Sequence, residues 1–318
     1  MGSLLLGLDI GGTKTAVVLG RSPVDVLGRE EFPTVGPGTT LLRAAEAARR
    51  LAARFPGEGL GAAGIACGGP LDATGGAILN PPNLPGWRDV PVVELVSREL
   101  GVPARLENDA NAGALAEHRY GSGRGTRNFA FVTFGTGLGA GLIIDGRLHR
   151  GASGLAGEIG HVRLAPDGPI AYGKRGSAEA FASGAGLAQA ARRCLNAASC
   201  AGSVLAGAGP EGLTARAVGQ AALGGDRVAA ELVEDCGRHL GRALAIIIDL
   251  INPECIAVGG LALRLGDLIL EPARREILAE ALPQAAAACR VVPAALGEAV
   301  ADAQALVVAE MALEGSSG

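Results

Sequence analysis

The sequence predicts an α/β fold with a duplicated, two-domain plan, and three observations predict it. Strand-like and helix-like segments alternate along most of the chain. A unit made of an apolar strand, a glycine turn carrying hydroxyls and a second apolar strand opens the chain, and it recurs about one hundred and twenty residues later. A glycine-rich link with charge, residues 121–125, lies between the two halves.

The elements follow in order. The first unit runs from Leu4 through the turn Gly11-Gly12-Thr13-Lys14 to Leu19. Residues 41–55 carry Ala, Arg and Leu at helical spacing, and 61–67 form a short apolar strand. Residues 91–100 predict a helix, 104–107 a strand end and 110–120 an Ala-rich helix. The second unit runs from Phe129 through Gly135-Thr136-Gly137-Leu138-Gly139 to Ile144, and Asp145-Gly146 supplies a hairpin turn after it. Helices are predicted over 177–193, 214–223 and 226–250, then a strand over 255–258 ended by Gly259-Gly260. A last Ala-rich helix covers 297–313, before a flexible tail. Gly36-Pro37-Gly38 and Asn80-Pro81-Pro82-Asn83 are predicted loops. The expected domains are a small one, 1–120, to which 300–318 returns as a helix, and a large one, 121–299.

Composition narrows the function. The chain has 318 residues, 48% of them hydrophobic, enough for two cores. Its formal charge is −4 without a Lys- or Arg-rich run, which gives no electrostatic support to a nucleic-acid or membrane-surface role. The amino terminus passes directly into the first strand and reads neither as a signal peptide nor as a spanning helix. Leu6 occupies the position where myristoylation wants Ser or Thr. A cytoplasmic protein is expected. Six cysteines are scattered without a C-x-x-C pair, so a disulfide framework is not expected and most read as small buried apolar residues; whether Cys194 and Cys200 meet in space is not legible in the sequence.

The two glycine turns point to phosphate. Glycine lets backbone N–H groups approach an anion, and threonine adds a donor. Asp9, the only carboxylate in its loop, suits Mg²⁺, which takes carboxylate, water and phosphate oxygens. Two familiar motifs fail. The first loop has Gly7 and Gly12 at the P-loop interval but then Thr13-Lys14 instead of Gly-Lys-Ser/Thr. Gly135, Gly137 and Gly139 lack the dinucleotide spacing, and neither loop runs directly into a helix. Two ordinary hairpins are the plain alternative; the pair, with Asp9 in the first, favours nucleotide binding.

Four motifs in order then resemble the ROK family: Asp9-Ile10-Gly11-Gly12-Thr13-Lys14, Glu107-Asn108-Asp109-Ala110-Asn111-Ala112, Gly135-Thr136-Gly137-Leu138-Gly139 and Gly157-Glu158-Ile159-Gly160-His161. That family comprises bacterial sugar kinases, chiefly glucokinases, and related repressors. The resemblance implies an actin/hexokinase/Hsp70-like (ribonuclease H-like) fold with an interdomain cleft that closes on the sugar. It also implies ATP-dependent phosphorylation of a hexose, glucose first, with Mg²⁺, and a homodimer.

Site residues follow from the same resemblance. Asp109 is the general base; read alone, it serves equally well as a helix cap. Gly69, Asn83, Asn108, Glu158, His161 and Glu179 form the sugar-contacting set with it. Asn83 is otherwise a turn residue, and Trp87 a core or loop anchor. Glu158 and His161 at i, i+3 fit half of a di-iron site, but Gly157 and Gly160 make a helix interior there unattractive. Gly11, Gly12, Thr13, Lys14, Thr133, Gly135, Thr136, Gly137, Gly259 and Gly260 are the nucleotide set, with Asp9 holding Mg²⁺ through water; Lys14 also reads as a solvated hairpin lysine.

Two departures from the family pattern stand out. Its structural zinc is held by the motif histidine and three cysteines. Here Ile170, Tyr172 and Ser177 occupy the cysteine positions, so no zinc is expected and the loop must be ordered by packing and hydrogen bonds. Cys67-Gly68-Gly69-Pro70 stands where a Thr-Pro-Gly-Pro run is usual. The rival functions are a kinase for N-acetylglucosamine, N-acetylmannosamine or another hexose, a sugar-sensing ROK repressor, and a non-catalytic ATPase module. Polyphosphate is an alternative donor.

Overall fold

The computed structural model describes residues 3–196, 200 and 202–315, which divide into two compact units. The first comprises residues 1–124, 152–154 and 298–318, the second residues 125–151 and 155–297.

In the first unit, β1 (Leu4–Ile10), β2 (Lys14–Ser22) and β3 (Asp25–Pro33) form an antiparallel meander. Helix α1 (Pro37–Ala52) leads to β4 (Leu60–Cys67), a small hairpin of β5 (Leu71–Asp72) and β6 (Ala77–Ile78), helix α2 (Val92–Leu100), β7 (Ala104–Asn108) and helix α3 (Asp109–Tyr120). The sheet order is β3-β2-β1-β4-β7, with β1, β4 and β7 parallel. Parallel strands are covered on both faces, which is why β1 and β4 read as continuous apolar runs rather than alternating ones.

The second unit repeats the plan. It contains β8 (Phe129–Phe134), β9 (Leu138–Ile144), β10 (Arg147–His149), the hairpin β11 (Ile170–Ala171) with β12 (Lys174–Arg175), and α4 (Ala178–Phe181). Helices α5 (Gly184–Asn196), α6 (Gly209–Gly212), α7 (Ala215–Leu223) and α8 (Arg227–Ile251) follow. The chain continues through β13 (Cys255–Val258), α9 (Leu261–Leu265), α10 (Asp267–Glu280), α11 (Pro283–Ala288) and β14 (Arg290–Pro293). Its five-stranded sheet has the order β10-β9-β8-β13-β14, again an antiparallel meander followed by two parallel neighbours. The duplication expected from two glycine turns therefore extends to whole sheets.

The last helix, α12 (Val300–Gly315), belongs to the first unit and lies directly on its sheet. Close approach explains two glycines there: a Cβ on Gly64 would fall 2.2 Å from the Ala305 carbonyl oxygen, and one on Gly7 2.8 Å from the Ala305 Cβ. Arg119 of α3 pairs with Glu310 at 2.7 Å and ties α12 down further. Each unit has its own apolar core, around Leu6, Ile65, Trp87 and Leu106 in one and around Val132, Phe134, Leu240 and Ile256 in the other.

Several sequence expectations need correction. Asp9 lies inside β1, one residue from its end, rather than in the glycine loop, so the strand ladder fixes it. Pro37 and Gly38 belong to the first turn of α1, where Pro costs no hydrogen bond, rather than to a loop. The predicted 177–193 helix is two helices, α4 and α5, broken at Ala182-Ser183. Cys194 and Cys200 are joined in a disulfide; Cys67, Cys236 and Cys255 are buried free thiols.

Candidate functional site

In the first unit the candidate residues cluster at the carboxyl ends of three parallel neighbours. Asp9 of β1 pairs with Ala66 of β4, and Ala66 pairs with Glu107 of β7. The chain therefore brings Asp9 and Asn108-Asp109 to either side of the β4 end, where Cys67-Gly68-Gly69 leaves the sheet. Ligands in open α/β sheets gather at such strand ends.

Asn108, not Asp109, is the cap of α3: its Oδ1 accepts the Ala110 N–H at 2.9 Å and the Asn111 N–H at 3.3 Å. Asp109 is the first helical residue, and its Oδ1 accepts the Ala110 N–H at 2.8 Å. Its Oδ2 faces Gly68, 3.9 Å from where a Cβ on that glycine would lie. Part of the Asp109 surface is open, yet the carboxyl is deep enough that burial pushes its pKa up, while the Ala110 N–H pulls the other way.

Asp9 is pushed up to about 7, first by burial and then by the charge of Asp109. Gln304 Nε2 donates to Asp9 Oδ1 at 3.4 Å and counters part of this. Cys67 lies against the same two carboxylates; burial, and then Asp109 and Asp9, keep its thiol protonated.

Asn83 follows from the first glycine turn. A Cβ on Gly12 would lie 2.4 Å from the Asn83 carbonyl oxygen, so only glycine lets the turn and the Asn83 loop touch. The loop is anchored by Trp87, which is 1% exposed and donates its Nε1–H to the Val35 carbonyl at 2.8 Å. Thr13 is exposed, and Lys14 pairs with Glu31 on β3 at 2.9 Å.

Three contributors were not foreseen. Glu107 is 1% exposed, and its Oε1 accepts the Asn108 N–H at 3.1 Å and the Asn111 amide at 3.0 Å. It thus braces the turn that presents Asp109. Asn111 Oδ1 is, among the described residues, a buried side-chain acceptor without a partner. Gln304 arrives on α12 from far along the chain and had no signal in the sequence.

In the second unit, the turn between β8 and β9 closes with the Gly135 N–H donating to the Gly137 carbonyl at 3.1 Å. The carbonyls of Gly135 and Thr136 accept the Gly184 and Ala185 N–H groups at the start of α5, at 2.8 and 3.1 Å. Gly260, at φ 62°, abuts the Phe134 carbonyl, so the Gly259-Gly260 turn lies on this loop, beyond the half-buried Thr133.

The segment with Glu158 and His161 is a 3₁₀ turn, Ile159–His161, not an α-helix. It lies on β9: the Ala140 N–H donates to the Gly157 carbonyl at 3.0 Å, and a Cβ on Gly160 would meet the Leu138 carbonyl oxygen at 2.2 Å. The Glu158 and His161 side chains are exposed. Glu179, on α4, turns toward the glycine loop and accepts the Leu138 N–H through Oε2 at 3.0 Å. Ser177 caps α4 by accepting the Ala180 N–H at 3.4 Å.

The residues at the zinc-cysteine positions do not fit a metal. Ile170 and Tyr172 are exposed in the β11–β12 hairpin, and Ser177 is used as a cap. The segment is ordered by the hairpin, by the Gly176 N–H to the Pro169 carbonyl at 2.9 Å, and by Arg163 Nη1 to the Arg175 carbonyl at 2.8 Å. Lys174 Nζ donates to the His161 carbonyl at 2.5 Å. Phe181 beyond it stacks on His239 with ring centroids 4.0 Å apart. An apolar hollow between α1 and α2, lined by Leu41, Leu42, Leu95 and Leu100, contains none of the candidate side chains.

The comparisons agree with one another. The model of the ROK family matches residues 5–310. A glucokinase from Streptomyces coelicolor is 36% identical over 276 residues, 86% of each chain. The crystal structure of a ROK family glucokinase from Streptomyces griseus, in complex with glucose and AMPPNP, superposes with a TM-score of 0.81 at 32% identity, covering 97% of this chain and 100% of that one. An N-acetylmannosamine kinase from Escherichia coli is 36% identical over 259 residues, 80% of this chain and 82% of its own. The duplicated sheets have the actin/hexokinase-like architecture of these solved relatives, and the chain belongs to the ROK family.

Proposed function

We propose that this protein transfers the terminal phosphoryl group of ATP to a hydroxyl of a hexose, glucose first, with Asp109 as the general base. The observation that carries the reading is the arrangement of Asp109: a carboxylate at the start of a helix, one oxygen fixed by the Ala110 N–H and the other directed at the bare backbone of Gly68. A sugar hydroxyl hydrogen-bonded to Oδ2 would lose its proton to that oxygen as its own oxygen attacks phosphorus. A positioned base of this kind contributes about 10²–10⁴ in rate. The rest is alignment and charge neutralisation, because phosphoryl transfer needs little covalent help.

Gly69, Asn83, Asn108, Glu158, His161 and Glu179 are the hydrogen-bonding set for the remaining hydroxyls. Carboxylates suit that role because each accepts several hydroxyl protons. On the donor side, Gly11, Gly12, Thr13 and Lys14 of the first unit and Thr133, Gly135, Thr136 and Gly137 of the second are the candidates for the phosphates, and Gly259-Gly260 for the adenosine. Asp9 would hold Mg²⁺ through water, and that cation neutralises phosphate charge when bound. The glucose- and AMPPNP-bound relative supports this choice of ligands.

An N-acetylmannosamine kinase at the same identity as the glucokinase leaves the group at the sugar's 2-position open as the point of discrimination. A coupled assay with ATP against glucose, mannose, N-acetylglucosamine and N-acetylmannosamine tests the reading. Turnover of glucose above the others is expected. Turnover of an N-acetyl sugar alone would move the substrate, and turnover of none would overturn the kinase reading.

A further inference from the structure

Gly137 and Gly160 belong to different motifs, yet one side chain explains both. A Cβ on Gly137 would lie 2.6 Å from Glu179 Oε2, and one on Gly160 would lie 3.2 Å from Glu179 Cβ. Gly137 has no left-handed φ, so its smallness reflects space rather than backbone conformation. Glu179 passes between the two motifs and ends on the Leu138 N–H at 3.0 Å. Among the described residues its other oxygen, Oε1, has no protein hydrogen-bond partner, and the residue is only half-buried. The α4 backbone holds it in place through the Ser177 cap and the Ala178 N–H to the Val162 carbonyl at 2.8 Å.

We propose that Glu179 is a positioning residue that couples hexose binding to the phosphate loop Gly135–Gly139, an inference that rests on the sugar-kinase reading above. One oxygen holds the loop through Leu138, and the other takes a sugar hydroxyl. A hexose that fixes Oε1 stops rotation of the carboxylate and so locks Oε2 on the loop. The phosphate-binding backbone is then ordered before the nucleotide arrives, and the nucleotide binds with a smaller ordering cost. Linkage makes the effect reciprocal: nucleotide on the loop tightens hexose by the same factor.

Calorimetry of AMPPNP binding to the whole protein, with and without saturating glucose, measures this. In the wild type, glucose should tighten AMPPNP by about 5-fold or more, the lower range of typical coupling. In Glu179→Ala the ratio should fall to within about 2-fold of one. Gly137→Ala, which drives the carboxylate off the loop from the other side, should do the same. Glu179→Gln should retain the coupling, because its amide oxygen still accepts the Leu138 N–H. Retained coupling in Glu179→Ala or in Gly137→Ala would overturn the proposal, as would a wild-type ratio of one. If Glu179→Ala does not fold, Gly137→Ala and Glu179→Gln decide it. A wild type that binds glucose and AMPPNP without coupling defeats only this inference, whereas one that phosphorylates no sugar defeats the kinase reading.

Discussion

Asp9 and Asp109 stand on opposite sides of β4, and the charge of Asp109 is the second-largest cause, after burial, of the upward shift of Asp9. Two carboxylates near one another in a partly dry place cannot both ionise cheaply. The pair therefore destabilises the fold wherever both carboxylates are ionised.

A pH signature follows. The folded pKa of Asp9, about 7, exceeds the ordinary 3.8, so between these values the folded state holds a proton the unfolded state has released. The stabilisation is complete below the ordinary value and is lost as pH rises through about 7. Ligand-free protein should thus lose stability from about pH 4 to about pH 7, by an amount on the order of 4 kcal/mol at most, and change little above that. Asp9→Asn should flatten this slope and melt higher than wild type at pH 8. A thermal series against pH checks it; an unchanged slope in the variant would remove Asp9 as the source.

Trp87 should separate anchoring from chemistry. Trp87→Phe loses chiefly the bond to the Val35 carbonyl and should cost about 1 kcal/mol. Trp87→Ala should cost about 3–5 kcal/mol and raise the KM for sugar through the Asn83 loop, with a smaller effect on kcat. Denaturant titration and steady-state kinetics measure the two effects.

Glu107→Ala removes an acceptor from two groups at the Asn108 turn, the Asn108 N–H and the Asn111 amide. Each donor left without it costs about 1–3 kcal/mol, so the variant should be destabilised by about 2–6 kcal/mol. Activity should fall at temperatures where the fold is intact, because the turn presents Asp109. A variant as active and as stable as wild type would show that the brace is dispensable.

Metal analysis addresses the segment of residues 165–177. With Ile170, Tyr172 and Ser177 at the cysteine positions, purified protein should contain no stoichiometric zinc. A strong chelator should leave the melting temperature unchanged in the absence of nucleotide. Phe181→Ala should lower it, because the ring's stack on His239 is lost. One zinc per chain would refute this account of the loop.

Much of the architecture was readable because it repeats. Two apolar–glycine–apolar units predicted two related sheets, and helix starts were marked by Thr214, Asp226 and Asn108, each of which caps its helix. Strand β3 was missed because it is an edge strand with charged residues at Arg29, Glu30 and Glu31, the first and last of them exposed, and no continuous apolar run. The site was legible in its motifs but not in its contacts. Gln304 reaches Asp9 only because α12 lies on Gly7 and Gly64. The joint use of Gly137 and Gly160 by Glu179 depends on three segments that sequence spacing does not bring together.

The most direct test is the turnover of Asp109→Asn with ATP and glucose, alongside calorimetry of glucose binding. The substitution keeps the shape and an amide oxygen for the Ala110 N–H, so the variant should fold and bind glucose within a few-fold of wild type while kcat falls by about 10²–10⁴. A variant that turns over glucose at the wild-type rate would contradict the assignment of Asp109 as the base.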